Sequence, residues 1–248
     1  MKIINLRSML RSGTEQKLTT APSISSAYIL MTAKFMGNIL LHLMLCIKNG
    51  VRMKVEDKDG LVVMRGQPFH CGHIRLLTAA LTKCERLFIV LGSTQEFGTS
   101  RNPFTFAERK KMLKRYFNRH FVDHKTSDLW NRIVVIGLPD IFSLRWPSYV
   151  LDEISNSSSD ANITAVFGGS QYDCDWFKDH NLKAYVIDRT DTEHPYASAS
   201  MVRDMLTYGD PRWTHYVPHC NWHLVAKKFN RLDMIPDGDE EELRGEKE

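Results

Sequence analysis

Two imidazoles three residues apart, His70 and His73, are the groups of this chain best placed to do chemistry. The apolar run from Leu61 to Met64 reads as a short buried strand, Gly66 and Pro68 break it, and the periodicity from His73 to Leu81 predicts a helix. The pair therefore sits in a strand-to-helix turn, where unpaired backbone N–H groups and the positive end of the helix favour an anion. Neutral imidazole N–H groups there can donate to phosphate oxygens. A second cluster lies far along the chain, where Ser198, Ser200 and Arg203 mark the start of another predicted helix. Two hydroxyls, open N–H groups and an arginine one turn in make a phosphate site. Taken singly, Ser200 is a helix cap and Arg203 a residue on a solvated face.

A metal site is the competing use of His-Cys-Gly-His. Structural zinc needs four soft ligands in recognisable pairs, and Cys46, Cys84, Cys174 and Cys220 form none, so no metal ligand is assigned. Two histidines at a turn can also be plain surface residues, and the spacing alone does not separate that reading from a functional one.

The elements that must carry these groups alternate regularly. After the first strand and helix come apolar runs at Arg86 to Leu91, Arg132 to Leu138, Ile163 to Phe167 and Leu182 to Ile187. Phe104 to Phe117 reads as a helix whose start is a capping box of Thr105 and Glu108. Residues 118–131 read as a loop with a short helical end, Ile154 to Asn162 as a polar connection, Tyr172 to Lys178 as a short helix and Trp222 to Leu232 as a last amphipathic one. Short apolar strands alternating with helices predict an α/β fold, a Rossmann-like doubly wound parallel sheet of about five strands.

The stretch Arg65, Gln67-Pro68-Phe69-His70-Cys71-Gly72-His73 resembles the nucleotidyltransferase superfamily, and most closely its archaeal and phage nicotinamide mononucleotide (NMN) adenylyltransferases. Met64 and Gly66 depart from that family's pattern, in which a glycine and a Phe or Met occupy those places. The resemblance continues through Gly92-Ser93-Thr94-Gln95 and from Arg101-Asn102-Pro103 to Glu108-Arg109. It includes Pro139-Asp140-Ile141 with Trp146, Gly168-Gly169-Ser170, and Ser198 to Arg203, where Ala197 replaces the family's Ile. It covers about residues 61–220. The implied reaction is adenylyl transfer from ATP to NMN, giving NAD and pyrophosphate. By resemblance His70, His73, Arg101 and Arg203 carry catalysis. Arg65, Gln67, Phe69, Gly72, Ser93, Gln95, Arg109, Trp146, Gly168, Ser198 and Ser200 contact or frame the substrates. Mg²⁺ arrives on the nucleotide. Within the superfamily the acceptor could instead be nicotinate mononucleotide, phosphopantetheine, a flavin mononucleotide or a cytidylyl acceptor. A non-catalytic nucleotide-binding regulator is the reading from a different class.

Composition bounds the rest. A chain of 248 residues with 43% hydrophobic and 25% charged residues is an ordinary soluble domain with room for one full core. Residues 1–52 hold seven Lys and Arg against Glu15, a net of +6, which leaves −2 for the remainder of a chain whose total is +4. A slightly acidic domain argues against a nucleic-acid surface. Five scattered cysteines suit a reducing compartment, so a cytoplasmic location is expected, with room for a homo-oligomer. Three segments are expected: an extension at 1–52, the nucleotidyltransferase domain at 53–235 and an acidic tail at 236–248. The apolar stretch Ala27 to Ile47 carries Lys34, Asn38 and His42 on one face, which favours an amphipathic helix over a membrane span. The extension is a docking helix, a targeting segment or translated sequence upstream of a start at Met53, the last being preferred.

Overall fold

The computed structural model describes residues 55–120, 128–189 and 196–235. The extension with the helix expected at 27–47, half of the segment expected as a loop at 118–131 (residues 121–127) and the acidic tail lie outside the described residues. Five strands form one parallel sheet: β1 (Asp57–Met64), β2 (Cys84–Leu91), β3 (Ile133–Gly137), β4 (Ile163–Gly168) and β5 (Lys183–Val186). Their order is β3-β2-β1-β4-β5. Registers such as Leu61↔Phe88 and Val62↔Phe167 tie the central β1 to both neighbours. The chain winds outward from β1 to β3, then returns to the far side of β1 for β4, so the winding reverses between β1 and β4. Ligands of such sheets bind outside the carboxyl ends of the strands at this reversal.

The helices are α1 (Cys71–Lys83), α2 (Phe106–His120), α3 (Asp128–Asn131), α4 (Trp146–Ser157), α5 (Gln171–Asp175), α6 (Ala199–Tyr208) and α7 (Trp222–Lys228). Strand alternation sorts the core into two layers. Val62, Leu87, Ile89 and Phe167 face α1, α2, α6 and α7 through Leu77, Met112, Val202 and Val225. Leu61, Phe88, Val90 and Val166 face α4 and the α5 region through Val150, Ile154 and Phe177. Both faces are covered, which is why the strands read as unbroken apolar runs. Among the described residues no helix is long and apolar enough to cross a membrane.

The doubly wound parallel fold stands as expected, and three local expectations are corrected. β1 starts four residues earlier than Leu61, because Asp59 is neutralised across the strand pair by Arg86, its register partner, at 2.8 Å. The connection expected at Ile154 to Asn162 is in its first turn the end of α4. Pro147 opens that helix and Val150 and Ile154, one turn apart, anchor it against the sheet. The final helix ends at Lys228, and a 3-10 turn at Leu232–Met234 completes the segment. The capping box at α2 is present, with the Thr105 N–H donating to Glu108 Oε2 at 2.7 Å and the Glu108 N–H to Thr105 Oγ1 at 3.2 Å.

Candidate active site

A cavity of about 870 Å³ opens at the carboxyl edge of the sheet, over the β1–β4 reversal. His70, His73, Arg65, Gln67, Arg101, Trp146, Ser198, Ser200 and Arg203 all line it. Two clusters more than a hundred residues apart in sequence thus face one space.

His70 caps α1, and its Nδ1 accepts from the Gly72 N–H at 3.1 Å. His73 Nδ1 accepts in turn from the His70 N–H at 3.3 Å, a reciprocal capping box built from two imidazoles. A ring nitrogen that accepts cannot carry the proton, so each neutral ring bears it on Nε2. The rings lie 3.9 Å apart and are 2% and 6% exposed. Burial, the neighbouring His73 and the Arg189 guanidinium hold His70 well below its ordinary range. Burial first and then Arg189 push His73 down to about 3. Two neutral Nε2–H donors are therefore available at any physiological pH.

The expected open N–H groups at the mouth of α1 are not there. Cys71 donates to the Tyr216 carbonyl, Gly72 to the His70 ring, and His73 and Ile74 both to the His70 carbonyl. An anion at this helix meets imidazole protons and the helix dipole rather than bare amides.

On α6 the N-cap is Ser198, whose Oγ accepts from the Met201 N–H at 3.2 Å, so capping falls to Ser198 and not to Ser200. Ser200 Oγ accepts instead from Arg203 Nη2 at 3.1 Å, while Arg203 Nη1 donates to the Gln67 carbonyl at 2.7 Å. That bond ties α6 to the loop after β1. Burial, then the charges of Arg65 and Arg101, lower the Arg203 pKa, so three arginines share this space. Arg65 and Arg101 are exposed, and among the described residues neither guanidinium has a hydrogen bond or ion pair. Unpaired cations gathered in a cleft mark an anion site.

Six residues expected at the substrates are not among those that line the cavity. Phe69 is 1% exposed in the core and stacks on the His73 ring with centroids 5.9 Å apart, so it fixes an imidazole rather than meeting a ligand. Gly72 makes room for the His70 ring, whose Cε1 would lie 3.0 Å from a Cβ there. Arg109 is buried and clamps the ends of β1 and β2 by donating to the carbonyls of Arg65 at 2.8 Å and Gly92 at 2.7 Å. Ser93, at φ 55, is held in that left-handed conformation by Asp140, which accepts from both its N–H and its hydroxyl. Gln95 accepts from the Asp140 N–H at 3.0 Å. Gly168 allows α5 to approach, since a Cβ would lie 2.7 Å from that of Asp173. Gln67 does line the cavity, but its carboxamide is fully engaged with the Phe104 backbone, 2.8 Å to each of the N–H and the carbonyl.

The sequence pointed to Asp140 only as part of the Pro139-Asp140-Ile141 segment, and Asp173, Trp176 and Arg189 were not expected as cavity residues. Each follows a strand's carboxyl end, Asp140 after β3, Asp173 and Trp176 after β4 and Arg189 after β5, and that placement was the available signal. Gly66, which stands where the family has a Phe or Met, adopts φ +62, a left-handed conformation that glycine takes without strain. Beside Trp146 the mouth is apolar, with Phe142 and Leu144 exposed. Among the described residues no group of three or more His, Cys, Asp or Glu is arranged to hold a metal.

Comparison with known proteins agrees with this geometry. Residues 66–205 match the family model of cytidylyltransferase-like proteins. The nicotinamide-nucleotide adenylyltransferase of Thermococcus kodakarensis is 32% identical over 181 residues, covering 72% of this chain and 88% of its own. That of Saccharolobus solfataricus is 30% identical over 160 residues, 64% of this chain and 84% of its own. Among solved structures, a bifunctional NMN adenylyltransferase/ADP ribose pyrophosphatase from Francisella tularensis, complexed with AMP and a manganese ion, shares the fold. Its TM-score is 0.54 at 20% identity, covering 75% of this chain and 51% of that one. This chain thus spans about half of that two-activity protein.

Proposed function

This chain belongs to the cytidylyltransferase-like family and lies close to its nicotinamide-nucleotide adenylyltransferases, and from that premise we propose that it transfers the adenylyl group of ATP to NMN, forming NAD and pyrophosphate. The observation that carries the reading is the meeting of two neutral Nε2–H imidazoles with the three arginines 65, 101 and 203 in one cleft.

An oxygen of the NMN 5′-phosphate attacks the α-phosphorus of ATP. A new P–O bond forms as the bond from that phosphorus to the bridging oxygen breaks, and the electron pair leaves with pyrophosphate. No covalent intermediate is needed, so the protein contributes positioning and charge stabilisation. His73 donates from Nε2 to the α-phosphate oxygens as negative charge gathers there, and His70 beside it holds the polyphosphate. Arg203, with Ser198 and Ser200, grips the β- and γ-phosphates from α6, while Arg65 and Arg101 close on the phosphates from the β1 and β2 loops. Trp146 offers an indole face for the nicotinamide ring. Phe69, Arg109, Gln67 and Ser93 hold these groups in place from behind.

Mg²⁺ comes as part of the nucleotide substrate. Of the two cavity acids, Asp140 has both oxygens engaged by Ser93 and Asp173 accepts from the Gly169 N–H. The ion is therefore carried on phosphate and water. We place the transferase domain at residues 53–235 and the protein in the cytoplasm, which suits its buried thiols at Cys71, Cys84, Cys174 and Cys220.

The test is product analysis with ATP or CTP against a panel of acceptors: NMN, nicotinate mononucleotide, phosphopantetheine and FMN. Release of pyrophosphate with NMN and ATP, and a dinucleotide of the mass of NAD, is expected. Turnover confined to another acceptor would replace the assignment, and binding of ATP without turnover on any acceptor would point to a nucleotide-binding regulator.

A further inference from the structure

One cation on the cavity wall has no part in the phosphate grip just described. Arg189 follows β5 and lines the cavity with His70 and His73. Its charge acts on both rings, so the guanidinium lies beside the imidazoles in the cavity that Arg203 also lines. Among the described residues its half-buried guanidinium makes no hydrogen bond or ion pair. A cation left without a counter-charge in a partly desolvated cleft is stabilised when an anion arrives.

Its seat is built for it. A Cβ on Gly169, just past β4, would fall on the Nε, Cζ and Cδ atoms of Arg189. The Gly169 N–H donates to Asp173 Oδ2 at 3.1 Å, which fixes the turn that forms the seat. Asp173, a cavity acid, accepts from the N–H of this turn and forms no ion pair with Arg189. The β4–β5 side of the cleft thus holds an arginine across a glycine surface with its guanidinium in no hydrogen bond or ion pair among the described residues.

We propose that Arg189 is a fourth phosphate-binding arginine, which takes the ATP polyphosphate from the β5 end of the cleft, and that residue 169 is glycine to seat it. This rests on the reading of the cleft as an ATP site. A guanidinium can reach two phosphate oxygens at once through its fork of N–H donors, which a point charge cannot match. The Gly168-Gly169 pair then divides the work: Gly168 admits α5 and Gly169 admits the arginine.

Titration calorimetry on the full chain with inorganic tripolyphosphate, ATP and NMN separately tests this, using wild type, Arg189→Ala, Arg189→Lys and Gly169→Ala. Loss of one charge-assisted contact of this kind weakens tripolyphosphate and ATP by about ten- to a hundredfold in Arg189→Ala. Arg189→Lys falls between wild type and Ala, Gly169→Ala weakens the same two ligands with the charge still present, and NMN changes by less than about twofold. Equal tripolyphosphate affinity in wild type and Arg189→Ala overturns the proposal, as does a loss for NMN as large as that for tripolyphosphate. A wild type that binds no tripolyphosphate overturns it too. Arg189-dependent tripolyphosphate binding by a protein that forms no NAD upholds Arg189 and removes only the acceptor assignment.

Discussion

Acidification should unfold this protein through its buried imidazoles before it touches their chemistry. His73 sits near 3 in the folded chain, against about 6.5 for an unfolded histidine. The folded pKa lies below the unfolded one, so between those values the unfolded chain binds more protons. The stability that a neutral His73 contributes is then complete above the unfolded value and falls away as the pH drops toward 3. At about pH 5 the loss from this one ring is about 2 kcal/mol, since each unit below 6.5 is worth about 1.4 kcal/mol. His70 acts in the same direction, and His120, which burial pushes down to about 4, adds a similar amount far from the cavity. Urea unfolding followed by circular dichroism between about pH 7.5 and 5 measures the sum. His73→Asn keeps an oxygen acceptor for the His70 N–H but cannot titrate, so its stability should fall by about 2 kcal/mol less over that range. Parallel curves for wild type and variant would show that folded His73 takes up a proton as readily as the unfolded chain does, and the reading of it as a ring held neutral by burial would fail.

Three other perturbations separate the roles of the cavity residues. Arg203→Ala removes the phosphate grip on α6 and its bond to the Gln67 carbonyl, and should raise KM for ATP by about ten- to a hundredfold with KM for NMN nearly unchanged; equal losses for both substrates would contradict the assignment. Gln67→Leu leaves the Phe104 N–H and carbonyl buried without partners, a destabilisation of about 2–6 kcal/mol in urea unfolding. A change below about 0.5 kcal/mol, the scale of an ordinary surface substitution, would show that the clamp is not needed. Trp146→Ala should raise KM for NMN by about tenfold through loss of ring stacking and leave ATP alone; an equal shift for ATP would place the indole elsewhere.

What the sequence revealed followed from local patterning, and what it hid depended on contacts across the sheet. The strands, the α2 capping box and the two phosphate clusters were legible because each is a short periodic or spaced pattern. β1 was read too short because Asp57 and Asp59 look like a polar lead-in until Arg86 is set beside them. Helix α4 was missed because its Ser- and Asn-rich end masks Val150 and Ile154 on its buried face. Family motifs pointed to Phe69 and Gln67 but did not tell direct contact from support, since that depends on which way a side chain turns, whereas Arg109 was expected to support the site from its helix. Phe69 turns into the core, Arg109 clamps two strand ends and Gln67 holds Phe104. Arg189 was marked only by its place after β5; that it lies across Gly169 depends on the fold.

The direct test of the central claim is a single-turnover measurement of NAD formation by His73→Ala, paired with the affinity of that variant for ATP. If the Nε2–H stabilises charge that develops only as the α-phosphorus is transferred, the rate falls by about a hundred- to a thousandfold. ATP affinity should then stay within about threefold, because a group that acts in the transition state adds little to ground-state binding. Equal losses of rate and affinity would make His73 a binding group only.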